Sequence, residues 1–300
     1  MNYYNQSWKH QLKRLEGAYA PNTIRSYYAD ASKFVDWCRA RDLVPFPLKS
    51  ENIVTYLEGG QCNTAYVSKR RSLSALRRIN SLLGHEDKTR GDDVYLAIRR
   101  LKRSQPRAQN QAIGINEELL LHMIAAQPNT LIGVRNRALI SLGYDFLARR
   151  SELTGLMQGD LEFTNAGGLR SVIRRSKTDQ FGEGRLVYGS KRSHDLLRKW
   201  LRRKPASSRM VFCAISHGTC LDRAICDRSV NEIIKKAVAR VKIPGRPDDR
   251  SVSGHSLRVG AAQDLLTRGF DTAAIMRAGG WSNSQTLARY LKYAQHNIWD

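Results

Sequence analysis

Apolar residues recur at helical spacing through most of the first hundred positions of the chain. The clearest helix is predicted at residues 21–41, where an apolar side chain returns every three or four residues and Asn22 or Thr23 can cap the start. Further helices are predicted at 50–57, 63–83 and 93–102. The pattern therefore predicts a small all-helical domain at about residues 12–104.

Residues 105–111 interrupt this pattern, because they are polar, contain a proline and lack periodicity. We interpret them as a linker to a second domain at residues 112–300. Two β-prone runs flank a glycine-rich turn between residues 168 and 189, which predicts a β-hairpin. Helices are predicted at 116–126, 131–147, 194–202, 228–241, 257–267, 272–278 and 284–293. The predicted fold class is mainly α with a small β-hairpin or sheet, in two domains.

The charge balance points to a polyanionic partner. Lys and Arg number 50 against 27 Asp and Glu, which gives a net charge of +23. Residues 1–110 carry 20 basic and 10 acidic side chains, and residues 111–300 carry 30 and 17, so both domains are positive. Such an excess favours nucleic acid, although an unspecific cationic surface is the alternative.

Other classes of protein are disfavoured. The five cysteines form no C-x-x-C pair and indicate reduced thiols without zinc, and no apolar run suggests a signal peptide or a membrane span. The segment from Gly184 to Lys191 has the wrong residue order for a phosphate-binding loop, and no acidic cluster suggests a two-metal nuclease. We therefore expect a cytoplasmic protein without cofactor or metal.

Two short motifs contain an arginine three residues from a glutamate or a histidine. Arg149 and Arg150 lie in an apolar stretch that we predict to be helical, and Arg149 is three residues before Glu152. A surface ion pair is the alternative explanation. His255 and Arg258 are three apart at a predicted helix start, where backbone N–H groups favour an anion. Here the alternative is a capping histidine beside a solvated arginine.

The remaining candidates are ambiguous when taken singly. The Gly279-Gly280-Trp281 motif is predicted to open a final helix, and Tyr290 follows Trp281 by nine residues. A tryptophan and a tyrosine at such positions are more often core residues than catalytic ones. Lys177 lies in the predicted hairpin, where a lysine is ordinarily exposed to solvent.

In their order along the chain, these motifs resemble the signature of the tyrosine recombinases, or phage integrase family. The match consists of R-x-x-E-L, a hairpin lysine, H-x-x-R, a tryptophan where most of the family has histidine, and a tyrosine. A weaker resemblance covers the whole chain. It implies a two-domain DNA clamp, with a core-binding DNA-binding domain at 12–104 and a catalytic domain at 112–300.

The resemblance also implies a role for each motif residue. Tyr290 is the nucleophile, and the family spacing selects Arg149 rather than Arg150 to bind the scissile phosphate together with Arg258. A phenol is a poor nucleophile near neutral pH, because its ordinary pKa is about 10. The implied assisting groups are His255 as proton acceptor, Lys177 as proton donor to the leaving 5′ oxygen, Trp281 as a phosphate hydrogen-bond donor, and Glu152 as an orienting carboxylate.

Basic residues on three predicted helices are candidate DNA contacts. They are Arg25 and Lys33 on the first helix, Lys69, Arg70, Arg71, Arg77 and Arg78 on the helix predicted at 63–83, and Arg228 at the start of a later helix. Arg228 resembles a base-reading arginine, which can bind guanine with two hydrogen bonds. For each of these residues, a phosphate contact is an equally good interpretation.

The implied function is site-specific DNA recombination through a 3′-phosphotyrosine intermediate and a Holliday junction. The implied partners are a double-stranded target with inverted-repeat half-sites and a homotetramer on two such sites, in a bacterial or phage-encoded, nucleoid-associated protein. The alternatives are a type IB topoisomerase and a catalytically idle DNA-binding protein of this fold. Ile298 and Trp299, in the short segment after Tyr290, pack either on a neighbouring protomer or on their own domain.

Overall fold

The computed structural model describes residues 8–59, 65–104, 112–164, 167–174, 184–245, 247–248, 251–292 and 294. The chain divides into two compact units, Met1–Gln109 and Asn110–Asp300. The predicted linker at 105–111 lies outside the described residues, as do the start of the helix predicted from residue 63, Lys177, and the segment with Ile298 and Trp299. Within the described part of the chain, no helix is long and apolar enough to cross a membrane.

The first unit is a helical bundle, as the spacing of its apolar residues predicts. Its helices are α1 (Pro21–Arg39), α2 (Ser50–Glu58), α3 (Tyr66–Leu82) and α4 (Asp92–Ser104), with short 3-10 helices at Leu12–Leu15 and Lys88–Arg90. Helix α1 packs on α3, and α2 packs on α4. The apolar faces meet around Phe34, Ile53 and Leu76, which are almost fully buried. Pro21 occupies the first position of α1, so Ala20 is the cap residue, not Asn22 or Thr23.

The second unit combines helices with two small antiparallel sheets. Its elements are α5 (Glu117–Ala125), α6 (Leu131–Asp145), α7 (Arg150–Thr154), β1 (Leu161–Phe163), β2 (Leu169–Ile173), β3 (Arg185–Gly189), α8 (Lys191–Leu201), β4 (Cys213–Ser216), β5 (Thr219–Ala224), α9 (Asp227–Arg240), α10 (Ser256–Thr267), α11 (Thr272–Gly279) and α12 (Ser284–Leu291). The predicted fold class, mainly helical with small β elements, is confirmed.

Helices α6 and α10 form the centre of this unit. Most of α6 is buried, and it packs against α5, α8 and α10. The first half of α10, from Ser256 to Ala262, is buried on every side. A helix surrounded in this way holds its side chains rigidly, because each is fixed by neighbours in close packing. This rigidity matters because the residues at the start of α10 belong to the candidate site.

The predicted hairpin is present and is part of a larger sheet. Strands β2 and β3 pair antiparallel with Ser171 opposite Val187, and β1 adds a third strand on the other side of β2. Strands β4 and β5 form a separate two-stranded sheet. The sequence analysis did not predict β1, β4 or β5, because such short strands carry too few residues to show an alternating pattern.

Candidate active site

A sharp reversal of the chain between α6 and α7 positions the first arginine. Helix α6 ends at Asp145, Leu147 has a left-handed φ of 45°, and Arg149 is the cap residue of α7. One oxygen of the Glu152 carboxylate accepts from the Arg149 backbone N–H at 2.9 Å, and the other accepts from Nη1 at 2.6 Å. The prediction that both arginines lie inside a helix was therefore wrong for Arg149, which caps α7, and the helix predicted at 131–147 ends at Asp145. The break lets one carboxylate fix both the backbone and the side chain of Arg149.

A second arginine shares this carboxylate. Arg185, at the start of β3, donates from Nη2 to Glu152 at 3.0 Å and from Nη1 to the Phe146 carbonyl at 3.1 Å. Its Nη1 also bonds the carbonyl of Ala278 at the end of α11. The Glu152 side chain has no exposed surface, so two cations balance its buried charge. Burial lowers the pKa of the Arg185 guanidinium, and the charge of Glu152 opposes this shift.

The start of α10 holds His255 and Arg258, as predicted. The N–H of Gly254 donates to the side-chain oxygen of Asn231 on α9 at 2.8 Å, which anchors the loop just before the helix. His255 occupies the cap position, and Arg258 is one turn further along. Arg258 is 0% exposed, which excludes the alternative of a solvated arginine.

The buried guanidinium of Arg258 is only partly satisfied. Nη1 bonds the carbonyl of Leu147, and the guanidinium carbon lies 3.8 Å from the centre of the Trp281 ring. Nε and Nη2 have no hydrogen-bond partner among the described residues. Burial, and then the nearby charge of Arg149, lower the pKa of Arg258 to about 10. A buried cation with two unused donors is a site for an anion, because unpaired buried donors are costly.

The two glycines before Trp281 make room for its indole. A Cβ at Gly279 would lie 1.9 Å from the ring of Trp281, and Gly280 has a left-handed φ of 65° that ends α11. The final helix begins only at Ser284, so the prediction that Gly279-Gly280-Trp281 opens it was wrong. Trp281 is buried, and its indole N–H has no partner among the described residues. It is a further unused donor beside Arg258.

Tyr290, in the last turn of α12, completes the cluster. Its hydroxyl lies 2.6 Å from Nε2 of His255, and its ring packs edge-on against the rings of His255 and Trp281, each with a centroid separation of 5.1 Å. Arg258, stacked on Trp281, is thereby connected to the tyrosine through one ring. The structure brings Arg149, Glu152, His255, Arg258, Trp281 and Tyr290 into one contiguous site.

The electrostatics of the site favour a neutral histidine. Burial, followed by the positive charges of Arg258, Arg149 and Arg150, lowers the pKa of His255 to about 4. A neutral imidazole can accept a proton from the Tyr290 hydroxyl within hydrogen-bond distance. The site therefore joins a phenol, a neutral imidazole and cationic donors without partners among the described residues. Among the described residues, no group of three or more His, Cys, Asp or Glu side chains has a metal-binding arrangement.

The candidate DNA-binding residues separate into two sets. Arg25, Lys33, Arg70 and Arg228 have exposed side chains. Arg228 lies in the first turn of α9, as predicted.

The other candidates are engaged within the first unit. Lys69 is only 5% exposed, and its ammonium donates to the Tyr56 carbonyl at 2.8 Å. Its place in the predicted DNA-contacting set is therefore corrected, because a buried, bonded ammonium is not presented at the surface. Arg71 makes two 2.8 Å bonds to Asp30, Arg77 bonds Thr89 at 2.8 Å, and Arg78 stacks over Tyr19.

Two residues of the site were not predicted from the sequence. Arg185 was seen only as part of a β-prone run, and Gln263 of α10 was not singled out, although its Nε2 donates to the carbonyl of Tyr290 at 3.0 Å. For Gln263 the signal was available, since it lies eight residues after His255 on one predicted helix. For Arg185 no local pattern marked the residue, because its partners are distant in sequence.

Comparison with known proteins agrees with this site. The chain belongs to the phage integrase family, whose model matches residues 115–296. It is 30% identical to an integrase/recombinase xerD homolog of Selenomonas ruminantium, across 95% of this chain and 85% of the relative. It is 24% identical to the recombinase cre of Escherichia phage P1, across 92% of this chain and 85% of that protein. The family resemblance stated from the motifs is thus confirmed.

Two solved structures share the fold. The XerH site-specific recombinase bound to its difH substrate aligns with a TM-score of 0.63 at 17% identity, covering 92% of this chain and 79% of the other. The Tn1549 transposon integrase in complex with circular intermediate DNA aligns with a TM-score of 0.68 at 12% identity, covering 97% and 95%. At these identities the likeness is one of fold.

Proposed function

We propose that this protein is a site-specific recombinase that cuts and rejoins double-stranded DNA through a 3′-phosphotyrosine bond to Tyr290. The observation that carries the proposal is the 2.6 Å contact between the Tyr290 hydroxyl and His255, beside the unused donors of Arg258 and Trp281. A nucleophile, a base and an anion-binding pocket are the parts that phosphoryl transfer needs. Membership of the phage integrase family supports this assignment.

Cleavage begins when the Tyr290 oxygen attacks the scissile phosphorus. His255 is neutral because its pKa is about 4, so it can accept the phenolic proton as the new P–O bond forms. The bond to the 5′ oxygen breaks, and Lys177 protonates that oxygen so that it leaves as a hydroxyl. The products are a 3′-phosphotyrosine and a free 5′-hydroxyl strand, so every proton and bond is accounted for.

The arginines stabilise the transition state of this step. The five-coordinate phosphorus carries extra negative charge on its non-bridging oxygens. Nε and Nη2 of Arg258 and the Trp281 indole N–H have no partner in the part of the chain that the structure describes, and Arg149 adds a second guanidinium. Glu152 and Arg185 are positioning residues, since they act through Arg149 and the segments around it. Preorganised donors are effective here because they need no rearrangement as charge develops.

Rejoining is the reverse reaction with a different strand. A 5′-hydroxyl from a partner duplex attacks the phosphotyrosine, and one such exchange produces a Holliday junction. Because each step exchanges one phosphate ester for another, the cycle consumes no nucleotide and needs no metal. We propose a homotetramer that holds two DNA sites with inverted half-sites in the cytoplasm.

The exposed cations are the proposed DNA contacts. Arg25, Lys33 and Arg70 of the first unit remain available for phosphate or base contacts, and Arg228 is the proposed base-reading residue of α9. Arg71 and Arg78 are secondary candidates, because each already contacts a neighbour. Arg77 is assigned a structural role in place of DNA contact.

Replacing the nucleophile tests the proposal directly. Tyr290→Phe removes the oxygen and keeps the ring, so it should bind DNA normally and form no covalent adduct that survives denaturation. Mapping the DNA attached to the parent protein would identify its target. A persistent adduct in Tyr290→Phe would move the nucleophile elsewhere, and relaxation of plasmids lacking any target site by the parent would favour a topoisomerase.

The leaving-group assignment has its own test. Lys177→Ala should cleave poorly on ordinary DNA and recover on a substrate with sulfur in place of the bridging 5′ oxygen. Sulfur leaves readily without a proton, so only a general-acid defect is repaired by this change. A defect of equal size on both substrates would remove Lys177 from the role.

A further inference from the structure

The helix that carries Tyr290 is attached to the rest of its unit by few buried side chains. Within α12, all of whose residues are described, Leu287 alone is buried. The helix packs mainly on α10 and less on α11. Tyr290 must nevertheless stay within hydrogen-bond distance of His255 for proton transfer. Polar contacts between α10 and α12 therefore have to supply part of the alignment.

Gln263 of α10 supplies such a contact to the backbone of Tyr290, whereas His255 contacts the hydroxyl of its side chain. Nε2 of Gln263 donates to the backbone carbonyl of Tyr290 at 3.0 Å, while His255 contacts the hydroxyl at 2.6 Å. The last carbonyls of a helix have no partner within the helix, and this bond satisfies one of them. Gln263 lies eight residues after His255, about 12 Å along the same helix. Helix α10 therefore holds Tyr290 by its main chain and by its phenol.

The side chain of Gln263 is itself fixed from outside α10. A Cβ at Gly114 would lie 2.3 Å from its Oε1, so the amide fills the space beside this glycine. The neighbouring Ile115 donates from its N–H to the Ser256 carbonyl at 3.0 Å, which holds this segment against the start of α10. The absence of a side chain at position 114 therefore leaves room for the amide in the orientation in which it donates to Tyr290.

We propose that Gln263 is a positioning residue that aligns the nucleophile helix with His255, and that the missing side chain at Gly114 makes room for its amide in the donating orientation. The proposal rests on the proposed function of Tyr290 as nucleophile. Gln263 acts on the Tyr290 backbone and does not contact the phosphate. Its loss therefore slows formation of the covalent adduct and leaves DNA affinity and the folded state unchanged.

The first test compares Gln263→Ala and Gln263→Glu in single-turnover adduct formation with DNA and enzyme in excess of Kd. Each should lower the rate about 3- to 10-fold at pH 7.5, because one part-buried hydrogen bond is lost. The Kd for DNA and the Tm should match the parent. Rates at the parental level in both variants would overturn the proposal, as would a fall in rate fully explained by a lower Tm.

The pH dependence separates positioning from a merely structural role. A glutamate at position 263 repels the Tyr290 carbonyl when ionised and donates to it when protonated. The rate of Gln263→Glu, divided by the parental rate at the same pH, should therefore rise as the pH is lowered from 7.5 to 5. The same ratio for Gln263→Ala should stay flat. A flat ratio in both variants would contradict the donor role.

Gly114 provides an independent arm. Gly114→Ala displaces the Gln263 amide, and its Cβ would also lie 3.1 Å from the Gly260 backbone of α10, so it should slow adduct formation more in the parent than in Gln263→Ala, where only the Gly260 contact remains. Gly159→Ala is the matched control, since nothing lies within 4 Å of a Cβ there. Additive effects of Gly114→Ala and Gln263→Ala would overturn the link between the two residues.

Failure of this inference is distinguishable from failure of the proposed function. If Tyr290→Phe still forms an adduct, the nucleophile assignment fails. If Tyr290→Phe is inert and the Gln263 variants cleave at the parental rate, only the positioning role fails.

Discussion

Two groups of arginines in this protein differ in what their guanidinium groups contact. On α3 of the first unit, Arg71 makes two 2.8 Å bonds to Asp30, and Arg77 bonds Thr89 and lies 3.7 Å from Asp87. In the second unit, Arg258 is fully buried, yet two of its donors have no partner among the described residues. The first group is hydrogen-bonded within the protein, and the buried guanidinium of Arg258 keeps two donors that an anion can satisfy.

The difference teaches that the number of cations does not identify a binding site. All of these arginines contribute equally to the net charge of +23. Only the hydrogen-bond partners separate a structural cation from one that awaits a ligand. For a buried donor this distinction is energetic, because leaving it without a partner costs about 1–3 kcal/mol. The predictions below change one group at a time and compare catalysis, stability and salt dependence.

The largest effects are expected at the arginines that bind the transition state. Arg258→Ala and Arg149→Ala should each lower the rate of adduct formation about 10²- to 10³-fold, because each removes preorganised donors to the phosphate. Arg150→Ala is the neighbouring control and should cost far less, since the side chain of Arg150 is exposed. Single-turnover cleavage assays compare the three. A more severe defect in Arg150→Ala than in Arg149→Ala would shift the motif by one residue.

The low pKa of His255 should also appear in the pH dependence of stability. Burial and the arginines lower the pKa of His255 to about 4, whereas a histidine in the unfolded chain has a pKa of about 6.5. Between these values the unfolded chain binds the extra proton, so this group makes stability fall as the pH is lowered from about 6.5 to about 4. Between pH 7 and pH 4.5, the free energy of unfolding measured in urea should therefore fall by about 1–3 kcal/mol more in the parent than in His255→Gln. Parallel changes in parent and variant would contradict the low pKa.

The arginines that are hydrogen-bonded within the first unit should contribute to the free energy of unfolding. Arg77→Met should lower the free energy of unfolding by about 1–3 kcal/mol, because Thr89 loses its hydrogen bonds from Arg77 and Asp87 loses one of two nearby cations, the other being Arg90. Arg70→Met is the control on the same helix and should change stability by less than about 0.5 kcal/mol, since its side chain is exposed. Urea unfolding of both variants provides the measurement. Equal stabilities would remove the structural role assigned to Arg77.

The smallest effect is expected in the salt dependence of DNA binding. If Arg70 contacts a phosphate, Arg70→Met should lower the slope of log K against log salt by about 1, because one fewer counterion is released. Arg77→Met, tested under conditions where it remains folded, should leave the slope unchanged. Binding titrations at several salt concentrations give both slopes. The reverse result would exchange the roles of the two residues.

The sequence predicted the residues of the candidate site better than it predicted the residues that hold them in place. Arg149, Glu152, His255, Arg258, Trp281 and Tyr290 followed from motif order, because each lies in a short local pattern. Arg185 did not, since its carbonyl partners Phe146 and Ala278 are 39 and 93 residues away. A charged residue at the start of a strand usually faces water, and only tertiary packing placed this one inside.

For the fold, the sequence predicted helices correctly and misplaced individual residues. Helices such as α1 and α4 were found within two residues at each end, because their apolar periodicity is a strong signal. The helix predicted at 131–147 ends close to the break before Arg149, but Arg149 was placed inside a helix because apolar residues continue from Phe146 to Ala148. Lys69 was misassigned although its spacing to Leu73 and Leu76 places it on the buried face of α3.

The contact between Gly279 and Trp281 restricts the order in which substitutions can accumulate in this region. Any side chain at position 279 would overlap the indole, whose ring atoms begin 1.9 Å from a Cβ there. A smaller residue at position 281 removes that overlap, so it has to precede or accompany any change at position 279. The two positions therefore form an epistatic pair, and libraries that vary position 279 alone would contain mostly inactive members. Directed evolution of this active site should vary both codons together.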